Sequence, residues 1–178
     1  MNKIDQVSNT FSNLLDNSFW QFSLGVYQDE NVKEACLLFQ NREGVNVNLL
    51  LLCCWLSYAV ERISENEFEA ACQSVTEWQS LVTQNLRKIR QHLKTMFPNE
   101  WIEQFYQQLL ANELSSESYQ QHSLYHHFVE KLKMTPSKNE ELLLYYLYHL
   151  FNQMNLVIDK ELDLRIQHFA KLILTTIN

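Results

Sequence analysis

Four basic side chains stand within eight positions in the segment LRKIRQHLK: Arg87, Lys88, Arg90 and Lys94. At helical spacing Arg87, Arg90 and Lys94 share one face, while Leu86, Ile89 and Leu93 point to a core. On a chain of formal net charge −7, such a cationic ridge suits a phosphorylated ligand, a lipid headgroup or an acidic partner helix. The competing reading is a solvated face near a helix C-terminus, where cations favour the helix dipole. His122 and His126 form a second constellation, at i and i+4, with Glu130 four residues further on. Two imidazoles so spaced can share a metal, and a carboxylate one turn later would be a third ligand. The glutamate that a zinc protease places between its two histidines is missing, and histidines on a polar helix face are common. The third constellation is the run LLLYYLYHLF, Leu142–Phe151. Its Tyr145, Tyr146 and Tyr148 point in different directions around a helix. Together with Trp55 they either line an apolar interface or pocket, or mark the margin of a core helix.

Other chemistries find less support. There is no G-x-S-x-G segment, and two isolated glycines, Gly25 and Gly44, cannot build a phosphate loop. Cys53 and Cys54 lie in an apolar run that raises a thiol pKa. With Cys36 and Cys72, and no C-x-x-C pair, the cysteines read as small hydrophobes of a reducing compartment. Glu140 and Glu141 fall in a first helical turn, where they stabilise the dipole. No cofactor is implied. A surface with 21 acidic against 14 basic residues disfavours a phosphate backbone as partner, so nucleic acid is set aside.

The elements that must position these groups are helices. Only two glycines and two prolines occur in 178 residues, too few for the tight corners of a β protein. Leu49–Val60 is apolar at every position but Ser57. It is shorter than the roughly 20 residues needed to span a membrane, so it reads as a helix buried all round, capped by Asn46 or Asn48. Asn17 or Ser18 caps FWQFSLGVY. Asn31 caps VKEACLLFQNRE, which Gly44 ends. SENE, Ser64–Glu67, matches a capping box opening one helix through residue 95. SSES, Ser115–Ser118, marks a junction. Thr135 and Pro136 start the tyrosine-rich helix, and Asp159 caps the last. The expected fold is all-α: one irregular or orthogonal bundle of about eight helices around two fully apolar helices, spanning 19–178 after a polar lead over 1–18.

Three segments carry a resemblance. Trp20, Phe22, Ser23, Leu24 and Tyr27 fit W-x-F-(A/S)-L-x-x-Y. Ala35, Cys36, Leu37, Phe39 and Gln40 fit A-C-L-x-(L/F)-Q, followed by Gly44, Val47, Leu49–Leu51, Trp55 and Leu56. Trp78, Val82, Leu86, Arg87, Ile89 and Arg90 fit W-x-x-x-V-x-x-x-L-R-x-(L/I)-R. Residues 19–95 thereby resemble a family of small proteobacterial proteins of unknown function. The resemblance implies an uncharacterised cytoplasmic bacterial helical protein and no known activity. The polar lead and the tyrosine-rich C-terminal half depart from it.

With catalytic constellations weak, the leading expectation is a non-enzymatic cytoplasmic helical adaptor or regulator. It would engage another protein through Arg87, Arg90 and Lys94 and through Tyr145, Tyr146 and Tyr148, with a homodimer among the arrangements allowed. The alternative is a pocket protein or small enzyme handling a lipid-like or phosphorylated apolar ligand. No secretory signal or transmembrane segment is read in the sequence.

Overall fold

A computed structural model describes residues 16–97 and 99–177. The polar lead or short helix expected over 1–18 falls mostly on residues 1–15, which lie outside the described residues, and the first described helix already begins at Ser18. In chain order the helices are α1 (Ser18–Val26), α2 (Glu30–Glu43), α3 (Val47–Ala59), α4 (Glu65–Ser74), α5 (Thr76–Trp78), a π-helical segment (Gln79–Thr83), α6 (Gln84–Leu93), α7 (Glu100–His126), a 3-10 turn (Val129–Lys131), α8 (Glu140–Gln153) and α9 (Lys160–Thr176). Among the described residues the one β feature is an isolated antiparallel bridge between Val60 and Leu132.

Local chemistry starts most of these helices. Asn17 caps α1 by accepting from Trp20 N, and Asn46 caps α3 by accepting from Asn48 N. Ser64 and Glu67 form the reciprocal capping box of α4. Asp159 caps α9. Gly44 closes α2 at φ 72°, a left-handed conformation that costs glycine nothing. Two caps differ from expectation. Asp29, not Asn31, caps α2, because the carboxylate two residues upstream reaches Asn31 N at 2.9 Å. Asn139, not Thr135, caps α8. Thr135 and Pro136 instead lie in the loop that crosses the end of α3, tied by Ser137 N donating to Tyr58 O.

The core gathers around α3. Ten of its thirteen residues are buried, and it packs against α8, α1, α2 and α7. Full burial of each large apolar side chain is worth roughly 1.5–3 kcal/mol, so this run is the main cohesive element. α8 buries Leu142, Leu143, Tyr146, Leu147, Leu150 and Phe151 against α3 and α9. Its other side is half-buried, so it is a core helix with polar margins. Lys133 Nζ donates to Ser57 O and Tyr58 O, putting a cation on the last carbonyls at the C-terminus of α3.

The helix expected to run from Ser64 to residue 95 is broken at Val75 and again altered at the π-helical segment. SSES is no junction: α7 runs through it without interruption. Ser115 Oγ donates to Ala111 O and Ser118 Oγ to Ser115 O, so these serines are satisfied inside the helix. Among the described residues no helix is long and apolar enough to cross a membrane.

Candidate functional site

The 27 residues of α7 span about 40 Å at ~1.5 Å rise per residue. Only its C-terminal end joins the core, through Leu124 and Tyr125. Its N-terminal half pairs antiparallel with α6. Leu93 and Leu109 are buried, yet neither belongs to the contiguous core. The two segments therefore make a helical arm with a small apolar seam of its own.

Charge locks the arm. Glu113, with only 6% of its side chain exposed, accepts from Arg87 Nε at 2.8 Å and from Arg90 Nε at 2.5 Å and Nη2 at 3.1 Å. Arg87 Nη2 also donates to Glu117 at 2.6 Å, and Arg90 Nη1 donates to the Tyr106 hydroxyl at 3.2 Å. Burial alone would raise the Glu113 carboxyl, but the bonds from Arg90 and Arg87 outweigh it and hold it below its usual range. Glu117 moves the other way: burial raises it, the attraction of Arg87 opposes, and Glu113 beside it raises it further. The hydrogen bond to Glu113 raises Arg90.

This corrects the reading of a free cationic ridge. Arg87 and Arg90 turn onto α7 because a pair of carboxylates at i and i+4 faces them, and Lys94 lies exposed over the Tyr106 ring at 5.7 Å. Ile89, expected in the core, is 48% exposed. Sequence reasoning missed Glu113 and Glu117. Their signal was an i, i+4 acid pair on the helix after an i, i+3 arginine pair, which becomes informative once the two helices are known to run antiparallel.

At the base of the arm the π-helical segment meets a buried polar layer. Thr83 Oγ1 and Ser116 Oγ are 2.5 Å apart. Trp78 Nε1 donates to Ser116 O and Oγ at 3.2 and 3.0 Å. Gln120 Nε2 donates to Gln79 Oε1 and Thr83 Oγ1, while its Oε1 accepts from Asn46 Nδ2. A π-turn inserts one extra residue into the helix. Beside it opens a cleft of about 330 Å³ between α5, the π-helical segment and α7, walled by Trp78 and Tyr119.

At the far end the arm presents apolar side chains to solvent. Phe97 is 92% exposed and Trp101 68%. Trp101 stacks on Phe105 with ring centroids 5.2 Å apart, and Met96 is exposed beside them in sequence. Trp101, Ile102, Phe105, Tyr106 and Leu109 recur at helical spacing along one face of this turn of α7. Of these only Leu109 is buried, because one side of that helix turn has nothing but α6 to pack on.

The other candidate residues go elsewhere. Trp55 and Tyr146 are enclosed in the core: Trp55 packs on Phe19 and Tyr125, and Tyr146 stacks on Phe68 while its hydroxyl accepts from Ile63 N. Neither is available to a partner. Tyr145 and Tyr148 sit at the margin, with hydroxyls donating to Glu65 and Asp163. Arg62 lies over the Tyr145 ring at 5.2 Å. His122 and His126 face each other, Nε2 to Nε2 at 3.1 Å, and burial lowers His122, with His126 adding to the effect. Glu130 does not join them: α7 ends at His126 and Glu130 falls in the 3-10 turn beyond it. Among the described residues no group of three or more His, Cys, Asp or Glu side chains could hold a metal ion. All four cysteines are free and buried, and burial pushes the thiols of Cys36 and Cys72 up to about 12, far from a nucleophile at neutral pH.

No curated protein and no solved structure matches the chain. Residues 18–124 match the family described as protein of unknown function DUF2390, a stretch that runs from the first residue of α1 through the arm and into the core end of α7. With more than half its length so matched, the chain belongs to that family.

Proposed function

We propose that this protein is a non-enzymatic interaction module that grips another protein with the tip of the α6–α7 arm. The exposure of Phe97 and Trp101 at the end of a charge-locked helical pair carries this reading. Aromatic residues and methionine are what interface centres are enriched in. Trp101, held on the first turn of α7, loses little entropy when it docks. The four buried, unpaired thiols support a cytoplasmic setting. The net charge of −7 supports a protein rather than a nucleic-acid partner.

The test places a photo-crosslinking amino acid at Phe97, in cells, and identifies the adduct. The purified adduct partner is then titrated against wild type, Phe97→Ser with Trp101→Ser, and Val157→Ser as an exposed control outside the arm. The tip variant is expected to bind at least about tenfold more weakly, as loss of an interface anchor does, with the control unchanged. Equal affinities for all three would overturn the proposal. Sedimentation of the free protein shows whether a second copy is the partner.

A further inference from the structure

The cleft at the opposite end of the arm carries its own chemistry. Its volume, about 330 Å³, stands at the small end of ligand pockets. Two aromatic walls, Trp78 and Tyr119, meet at a centroid separation of 4.3 Å. Val75, Leu81 and Val82 supply apolar lining. Glu77 stands at the same opening, and its carboxylate has no hydrogen-bond or ion-pair partner among the described residues. No Lys, Arg or His lines the cleft. Every charge available there is negative, and of the neutral polar side chains lining it Ser74 and Gln120 are already committed, which leaves the hydroxyls of Tyr119 and Ser123. Gln120 spends its amide on Gln79, Thr83 and Asn46. The Trp78 indole is held by its two bonds to Ser116, so its ring face is set before any ligand arrives.

An anion would meet Glu77 with no compensating cation, and an uncharged polar ligand could use the Tyr119 and Ser123 hydroxyls but would leave the Glu77 carboxylate without a counter-charge. A cation on a short apolar stem satisfies all three walls. Its charge sits against the ring faces and the carboxylate, and its methylenes against the valines and leucine. The overall charge of −7 favours its approach. We propose that this cleft binds an organic cation, an alkylammonium or guanidinium group borne on an apolar stem. The group belongs either to a free amine or to a lysine or arginine side chain of a docked chain. This site does not depend on the arm-tip reading, which rests on residues at the other end of α6 and α7.

Titration calorimetry of the whole protein tests it with matched pairs. Choline is compared with its uncharged isostere 3,3-dimethylbutanol, and N-acetylargininamide with N-acetylcitrullinamide. At least one cation is expected to bind about tenfold more tightly than its neutral counterpart. Glu77→Gln is expected to weaken that cation roughly three- to tenfold while leaving the neutral compound unchanged. Glu77 is exposed, so this variant keeps the fold, and an unchanged melting temperature verifies it. Tighter binding of choline points to a free amine, and tighter binding of the arginine derivative to a side chain. The proposal fails if cation and isostere bind alike, if Glu77→Gln has no effect, or if neither cation binds at about 10 mM.

Discussion

The α3–α8 core and the α6–α7 arm are both helix pairs, yet they are held together by opposite means. Around α3, leucine, cysteine and tryptophan side chains are buried, and the stability is dispersed over many non-directional contacts. In the arm the apolar seam is reduced to residues such as Leu93 and Leu109. There, two arginines and two glutamates set the register through directional bonds. A dispersed core tolerates small changes and punishes large cavities. A charge lock hinges on single groups, because removing one partner strands the others out of water. The lesson is one of division: the core makes the fold, and the arm trades apolar seam for exposed aromatic surface at its tip.

Paired tryptophan truncations should expose this contrast most sharply. Trp55→Ala is expected to destabilise the protein by about 3–5 kcal/mol in chemical denaturation, while Trp101→Ala should stay within roughly 0.5 kcal/mol of wild type. Similar losses at both sites would mean that the arm tip is part of the core. Next in size, Glu113→Ala leaves Arg87 and Arg90 facing each other without their shared carboxylate. A cost of about 3 kcal/mol is expected, with amide exchange accelerated in α6 and the N-terminal half of α7 before it rises in α3. Uniform acceleration across both regions would show that arm and core unfold as one unit.

The smallest effect concerns pH. The Lys131 ammonium and the Ser64 amide and hydroxyl hold the Glu67 carboxyl down to about 2 from an ordinary 4.5. A group depressed in the folded state contributes stability that is fully present above its unfolded pKa and is lost as pH falls toward the folded one. The melting-temperature gap between wild type and Glu67→Gln should therefore hold steady from neutral pH to about 4.5 and narrow toward about 2. A gap that does not change over this range would show that the capping box acts without its charge. Glu113, also depressed, acts in the same direction within the arm, and Glu117, raised, opposes it.

Signals closed within three or four residues were the readable ones. Asn17, Asn46, the Ser64–Glu67 box, Gly44 and Asp159 act where the sequence puts them, since a cap needs only its own first turn. Ser115–Ser118 shows the limit. The same polar run reads as a loop or as a helix interior, and bonds to residues more than thirty positions away decide, through Thr83 and Trp78. Thr135 and Pro136 fit a helix start by composition, yet Asn139 caps a helix whose preceding loop is tied to the end of α3.

By itself the sequence determined that the chain is helical and that Leu49–Val60 lies inside, because breaker scarcity and apolar runs act locally and through burial. Only the tertiary structure decided which charges are free. Arg87 and Arg90 are paired and the Glu77 carboxylate is not, since whether a charge is spent depends on what a distant helix brings within three ångströms of it.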